Sequence, residues 1–208
     1  MICSLCSGNT SAFLIYREQT YFRCKKCESI LLNPDNLPKP EFEKFRYDMH
    51  SDDIESEGYQ NFVAPLVNEV TENFLKNDSG LDYGCGKTAI VQILLQRKGF
   101  QIKGFDPIYK NETSLLNKKY NYITCCEVAE HFHYPALEFK KLSNLLLPKG
   151  KLILKTHLYN DTLNFEKWWY KNDPTHVFFY TEKSLQFIKE TFDFKELKLK
   201  DKYVVFCK

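Results

Sequence analysis

The chain of 208 residues has no long hydrophobic run; its longest apolar stretches, such as residues 62–67, extend five or six residues. A membrane-spanning helix needs about 20, so no membrane partner is expected. An excess of one charge is also missing, with 29 Lys and Arg against 27 Asp and Glu for a formal charge of +2. So even a balance leaves no electrostatic footprint for nucleic acid or an anionic surface. Met1-Ile2-Cys3-Ser4 carries neither a basic start nor an apolar segment, so no secretory leader is expected and the chain reads as cytoplasmic. Internal repeats and low-complexity tracts are absent. With 43% apolar and 27% charged residues, the composition suits a packed core.

Cysteine is what the chain has in quantity, with eight in all. In a reducing compartment they point to metal or thiol chemistry rather than disulfides. Cys3, Cys6, Cys24 and Cys27 form two Cys-x2-Cys pairs separated by 17 residues. A two-residue gap lets both thiolates of a pair face inward from one turn, and two such turns supply the tetrahedron that zinc takes. Short strands are expected at 11–16, 20–23 and 29–32, the plan of a zinc ribbon over residues 1–36. Structural zinc contributes about 10–16 kcal/mol to small modules of this kind. Four thiolates leave no open coordination position, which argues against a catalytic zinc. Four thiolates and one zinc ion also bring the formal charge near zero, further weakening a nucleic-acid role. Cys125, Cys126 and Cys207 read as small core residues, and Cys85 lies between two glycines.

Asn33-Pro34-Asp35 and Pro38-Lys39-Pro40 mark a linker. Residues 37–77 are expected to form a linker and helical lid. Within them, residues 41–57 hold seven acidic residues against Lys44 and Arg46 and read as a solvated helix face. A second helix is expected over 58–76, with Pro65 marking a break or an early-turn position. From residue 78 the pattern alternates. Strands are expected at 81–83, 101–105, 120–126, 151–155, 195–200 and 203–207, and helices at 88–97, 136–147 and 181–192, the last capped by Thr181. A turn at Pro148-Lys149-Gly150 precedes the strand at 151. Such alternation implies an α/β, doubly wound, mostly parallel sheet with a terminal antiparallel strand, whose ligands sit beyond the carboxyl ends of the strands.

The loop Asp82-Tyr83-Gly84-Cys85-Gly86-Lys87-Thr88-Ala89 follows the first of these strands. It is not a P-loop, because Gly80 lies one residue too early for that motif. Gly84-x-Gly86-x-x-Ala89 meets the letter of a dinucleotide fingerprint, with Asp106 twenty residues after Gly86. Against a pyrophosphate stands Asp82, an anion beside the turn. S-adenosylmethionine has no phosphate and carries two cationic centres, so there the same Asp is an asset. Asp106 suits ribose hydroxyls in either case.

Four segments give a closer resemblance. Leu81-Asp82-Tyr83-Gly84-Cys85-Gly86 resembles the first motif of class I S-adenosylmethionine-dependent methyltransferases. Gly104-Phe105-Asp106-Pro107 is similar to their second acidic motif, Glu127-Val128-Ala129-Glu130-His131-Phe132 to the segment after their fourth strand, and Leu146-Leu147-Pro148-Lys149-Gly150 to the turn before their fifth. The resemblance covers roughly residues 40–208 in family order, and zinc-ribbon heads are known on some members. It implies a Rossmann-like domain at 78–208. It also implies a cofactor site lined by Asp82, Gly84, Cys85, Gly86, Asp106, Pro107, Glu127, Val128 and His131. Two features depart from the family. Thr88 stands where a third glycine is usual and is offered as a helix N-cap. Only thirteen residues, 107–119, separate the second motif from the next strand, so the family's third strand is expected to be missing. Asn111 or Glu112 is then the stand-in for its adenine-contacting acid.

Polar aromatics gather in two places. Tyr47, His50 and Tyr59 are offered as substrate contacts in a lid, and Trp169 in the segment Trp168-Trp169-Tyr170 after the fifth strand. His176 is the first candidate general base, followed by His157 and Tyr170. His131-Phe132-His133 suggests metal but shows no third ligand at useful spacing. The resulting expectation is a zinc-ribbon methyltransferase acting on an unidentified acceptor, with a small molecule favoured by the aromatic segments. Its rivals are an NAD-dependent oxidoreductase and a non-catalytic zinc-ribbon binding module.

Overall fold

A computed structural model of the chain describes residues 1–49 and 53–208. The N-terminal strands β1 (Thr10–Tyr16), β2 (Gln19–Cys24) and β3 (Ile30–Leu32) form an antiparallel meander. A single turn of 3-10 helix at Pro34–Asn36 leads to helix α1 (Pro40–Asp48), which has its proline in the first turn, where the missing amide has no intrahelical partner to lose. Helix α2 spans Glu57–Asn73 and runs through Pro65 without the expected break. Asn61, whose carbonyl loses its partner to the proline, is exposed and can bond water instead.

The remaining chain alternates through β4 (Ser79–Tyr83), α3 (Ile90–Arg97), β5 (Gln101–Phe105), β6 (Tyr120–Cys126), α4 (Pro135–Leu145), β7 (Leu146–Lys155), β8 (Phe178–Phe179), α5 (Glu182–Thr191), β9 (Glu196–Leu199) and β10 (Val204–Cys207). Six of these strands form one sheet in the order β5-β4-β6-β7-β10-β9. The first four are parallel, and β10 runs antiparallel to both neighbours. Between β5 and β6 stand an isolated bridge, Asp106 to Lys110, and a 3-10 turn at Thr113–Asn117, with no further strand, as the short spacing implied. The expected turn at 148–150 lies inside β7, where Lys149 has φ +66° and the register against β6 slips between Tyr120 and Tyr122. It is a bulge in one continuous strand.

The two faces of the sheet follow from period-two alternation. Tyr122 and Ile153 pack with α2 and α3, whereas Ile123, Cys125, Leu152 and Leu154 pack with α4 and α5. Thr181 caps α5 as expected, in a reciprocal capping box with Ser184. Cys125 is fully buried; Cys126 and Cys207 are only half-buried. Among the described residues no helix is long and apolar enough to cross a membrane.

The ribbon is joined to the larger sheet by β8. These two residues pair with β3 and complete a four-stranded sheet, β1-β2-β3-β8. Tyr21, Phe165 and Phe179 interlock edge-on across this junction, and the Thr181 hydroxyl donates to the Cys27 carbonyl. The apolar residues of the ribbon thus share one core with β6, β7 and α5.

Candidate functional site

The two cysteine pairs form matching knuckles. Ser7 donates its amide to the Cys3 carbonyl, and Glu28 its amide to the Cys24 carbonyl. Both Ser7 and Glu28 adopt positive φ, closing the turn behind the second cysteine of each pair. The four thiols are buried and lie within 4.8 Å of one another, with Cys3–Cys27 at 3.7 Å and Cys6–Cys24 at 3.3 Å. A tetrahedron with Zn–S bonds of about 2.3 Å has edges of about 3.8 Å, which these separations fit. The amides of Lys26 and Cys27 point at the Cys24 sulfur and would offset thiolate charge there.

The larger site opens where the chain reverses direction across the sheet, beyond the ends of β4, β5 and β6. It is a cleft of about 1030 Å³. At its floor, Gly84 and Cys85 both donate their amides to the Phe105 carbonyl, and Gly86 donates to Asp106 Oδ2 at 3.0 Å. Asp106 Oδ1 accepts the amides of Ile108 and Tyr109 at 2.8 and 3.0 Å. One carboxylate therefore shapes the turns after both β4 and β5. With about four lone-pair positions it keeps acceptor capacity toward the cleft.

Gly84 and Gly86 have φ of +72° and +65°. A Cβ on Gly86 would meet nothing within 4 Å, so open space for a ligand lies there; a Cβ on Gly84 would stand 2.6 Å from both Val128 methyl carbons. Gly84→Ala is therefore expected to push the 127–131 segment away and destabilise the fold by about 2 kcal/mol or more. Adding Val128→Ala restores part of that loss, since the steric clash goes while left-handed strain of about 1–2 kcal/mol stays. Scanning calorimetry on the single and double variants checks this.

Asp82 lines the cleft but is almost fully buried. Its Oδ1 accepts from the Thr124 hydroxyl at 2.8 Å and its Oδ2 from the Gln92 amide at 3.2 Å. Gln92 is the third residue of α3, and the N-cap of that helix is Ala89, in the left-handed region and with no side-chain acceptor. Asp82 thus serves from the end of β4, across the glycine loop, as the capping acceptor, the role expected of Thr88. Burial raises its pKa from 3.8 to about 6. The fold binds this proton more tightly than the unfolded chain does, so the group's contribution to stability is greatest below about pH 4. It falls by about 3 kcal/mol as pH rises through about 6. Asp82→Asn should flatten that part of the stability profile; urea unfolding of both proteins between pH 4 and 7 measures the difference.

Beyond β6, Glu127 has φ +51°, its amide donating to the Lys155 carbonyl. Its carboxylate bonds Lys155 Nζ at 3.1 Å and accepts from the Tyr170 hydroxyl at 3.1 Å. Val128 and His131 follow along the wall.

Helix α1 borders the cleft through Pro40, Glu43, Arg46 and Tyr47. Arg46 pairs with Asp173 at 3.0 Å, Glu43 with His133 at 3.0 Å, and Asp48 accepts from the Tyr109 hydroxyl at 2.8 Å. Two acids of the run read as a solvated face are therefore clasps. Burial opposes ionisation of Asp173, but bonds from the Thr175 hydroxyl and amide and from Arg46 outweigh it and hold the carboxyl below the usual range.

Tyr47 stands edge-on to His131, and Tyr59 and the exposed Trp169 also face the cleft. His50 lies outside the described residues. Tyr170 and His176 line the cleft, whereas His157 packs on Trp169 and Tyr170 and is not part of the lining. Burial holds the Tyr170 phenol well above its ordinary pKa. Burial, reinforced by the nearby His131, drops His176 to about 3. Pro107, Ile108 and Tyr109 line the cleft on the side where Asn111 and Glu112 do not. Ile108 is apolar and Tyr109 stands outside the two aromatic segments singled out in the sequence, so neither was marked.

A family model described as a methyltransferase domain matches residues 56–199. No curated protein matches the chain. The 1,6-didemethyltoxoflavin-N1-methyltransferase of Burkholderia thailandensis, solved with 1,6-didemethyltoxoflavin and S-adenosylhomocysteine, superposes with a TM-score of 0.56 at 11% identity, covering 95% of this chain and 97% of that one. The magnesium protoporphyrin IX methyltransferase of Synechocystis PCC 6803, solved with S-adenosylhomocysteine, gives 0.56 at 17% identity over 84% and 97%. A SAM-dependent methyltransferase from Archaeoglobus fulgidus gives 0.54 at 16% identity over 76% of each chain. At these identities the likeness is one of fold.

Proposed function

Since the chain belongs to the methyltransferase family whose domain spans residues 56–199, we propose that it transfers the methyl group of S-adenosylmethionine to a small-molecule acceptor held between the glycine loop and the lid helix. The cleft is the observation that carries this reading. Its volume of about 1030 Å³ reaches the upper end of single-ligand pockets, about 300–1,000 Å³, and suits a cofactor and acceptor side by side. Side chains of one helix reach across its mouth, Arg46 to Asp173 and Glu43 to His133. The solved methyltransferases named for toxoflavin and protoporphyrin substrates favour the same class of acceptor.

The bound cofactor supplies a methyl group already activated on a sulfonium, which the acceptor's nucleophile takes in line. The chain contributes mainly position, worth about 7–11 kcal/mol in well-oriented reactions. Asp106 accepts from the ribose hydroxyls, while Gly86 and Cys85 border the space for the cofactor's chain. Pro107 and Ile108 offer an apolar edge for the adenine. Tyr47, Tyr59 and Trp169 wall the acceptor side, and the Arg46–Asp173 pair closes the lid and excludes water. The Tyr170 phenol stays protonated at neutral pH and orients Glu127 through its hydrogen bond. His176 presents a neutral imidazole. We place a structural zinc on Cys3, Cys6, Cys24 and Cys27, within a ribbon over residues 1–36 that precedes the lid at 37–77 and the Rossmann-like domain at 78–208.

An untargeted metabolite screen with the full chain and S-adenosylmethionine tests the proposal. One small metabolite should gain a methyl group in a cofactor-dependent way. Turnover confined to protein or RNA acceptors would overturn it.

A further inference from the structure

Behind the aromatic wall, Glu130, His131 and His176 bring one donor atom each to within 4.8 Å of one another. The sequence showed no third ligand for His131 because His176 lies 45 residues further on. Three features set this cluster apart from an ordinary buried contact. The His131 Nδ1 lies 2.8 Å from the Thr175 carbonyl, and the His176 Nδ1 lies 2.6 Å from the Tyr170 carbonyl. A carbonyl only accepts, so both Nδ1 atoms carry the proton and both Nε2 atoms keep a lone pair. That is the arrangement by which metal-binding histidines are oriented, one nitrogen anchored to backbone and the other left free. Glu130 is fully buried, and while its Oε2 accepts from the Thr156 hydroxyl at 3.0 Å, its Oε1 has no hydrogen-bond partner. That oxygen stands 3.9 Å from the His176 Nε2, too far for a hydrogen bond. A buried carboxyl oxygen left without a partner is costly, and a cation is one group that would meet it.

The geometry points to a divalent-cation site formed by Glu130, His131 and His176 on the acceptor side of the cleft. Two imidazoles and a carboxylate suit first-row ions such as Zn²⁺, Fe²⁺, Co²⁺ or Mn²⁺, and three protein ligands leave coordination positions open. Donors on such an ion lie about 3 Å apart, so the three groups close by up to about 2 Å on binding. His131 and His176 both line the cleft, which turns the open positions toward the acceptor. The acceptor class is thereby narrowed to molecules that present an oxygen donor to a metal, such as a hydroxyl or an adjacent pair of oxygens. This last step rests on the methyltransferase reading; the cation site itself does not.

The test titrates Co²⁺ into the full-length protein with zinc already bound to its cysteines, which hold zinc in preference to cobalt. Weak visible bands should appear without the near-ultraviolet charge-transfer band of a cobalt thiolate. His176→Gln and Glu130→Gln should each weaken that binding at least tenfold, while zinc content and melting temperature of the His176 variant stay at wild-type values. Glu130 is deep in the core, so if its variant fails to fold the His176 variant decides. No visible band in the wild type, or an unchanged band in the folded His176 variant, overturns the proposal. S-adenosylhomocysteine binding is measured in parallel. Its absence with the cobalt band intact would count against the methyltransferase reading and support the cation site.

Discussion

Removing zinc with a strong chelator, or replacing Cys24 with Ser, is expected to unfold the ribbon and to lower the melting temperature of the whole chain. A structural zinc contributes about 10–16 kcal/mol to a small module, as much as the entire stability of a typical domain at about 5–15 kcal/mol. In a ribbon tethered like a bead the damage would stop at the linker. Here β3 pairs with β8, Thr181 bonds the Cys27 carbonyl, and Tyr21 interlocks with Phe165 and Phe179. Residues 165–179 include Trp169, Tyr170 and His176 of the cleft wall. Losing the metal should therefore loosen the acceptor side of the site as well. Thermal melting with and without chelator, alongside zinc analysis, measures this; an unchanged transition after complete zinc removal would show that the ribbon's contacts hold without metal.

Asp106→Ala should weaken S-adenosylhomocysteine binding about 100-fold. Hydrogen bonds to a charged group contribute about 1.5–3 kcal/mol each, and a factor of ten corresponds to about 1.4 kcal/mol. Two losses combine here, the acceptor for the ribose and the three amides of Gly86, Ile108 and Tyr109 that the carboxylate gathers. Asp106→Asn keeps one acceptor oxygen and should fall between the two. Equal binding by all three proteins would place the ribose elsewhere.

What the sequence revealed and what it hid divide along contact range. The cysteine knuckles were legible because each is a local turn with two residues between its cysteines. The strands at 101–105 and 120–126 matched their expected spans to the residue; the first alternates exposed Gln101 and Lys103 with buried Ile102, as an edge strand does, and the second is mostly buried. The missing third strand followed from simple counting of residues 107–119. Phe178 and Phe179 were not legible as a strand, because two residues show no period and their partner is almost 150 positions earlier. The capping role of Asp82 was hidden for the same reason: a cap is sought next to its helix, and this one lies across the loop. Ala89 gave no sign of left-handed backbone, which glycine or asparagine would have signalled. Glu43 looked solvated until α1 was seen to border the cleft, while Asp48 is solvent-exposed as read and still reaches the Tyr109 hydroxyl. Glu130 read as one letter of a motif, and only the fold brings His176 beside it.

Calorimetric titration of the zinc-loaded protein with S-adenosylmethionine, set against the same titration with NAD, tests the central claim most directly. The structure predicts saturable binding of one S-adenosylmethionine per chain and none of NAD. No heat with millimolar S-adenosylmethionine, together with tight binding of NAD, would contradict it.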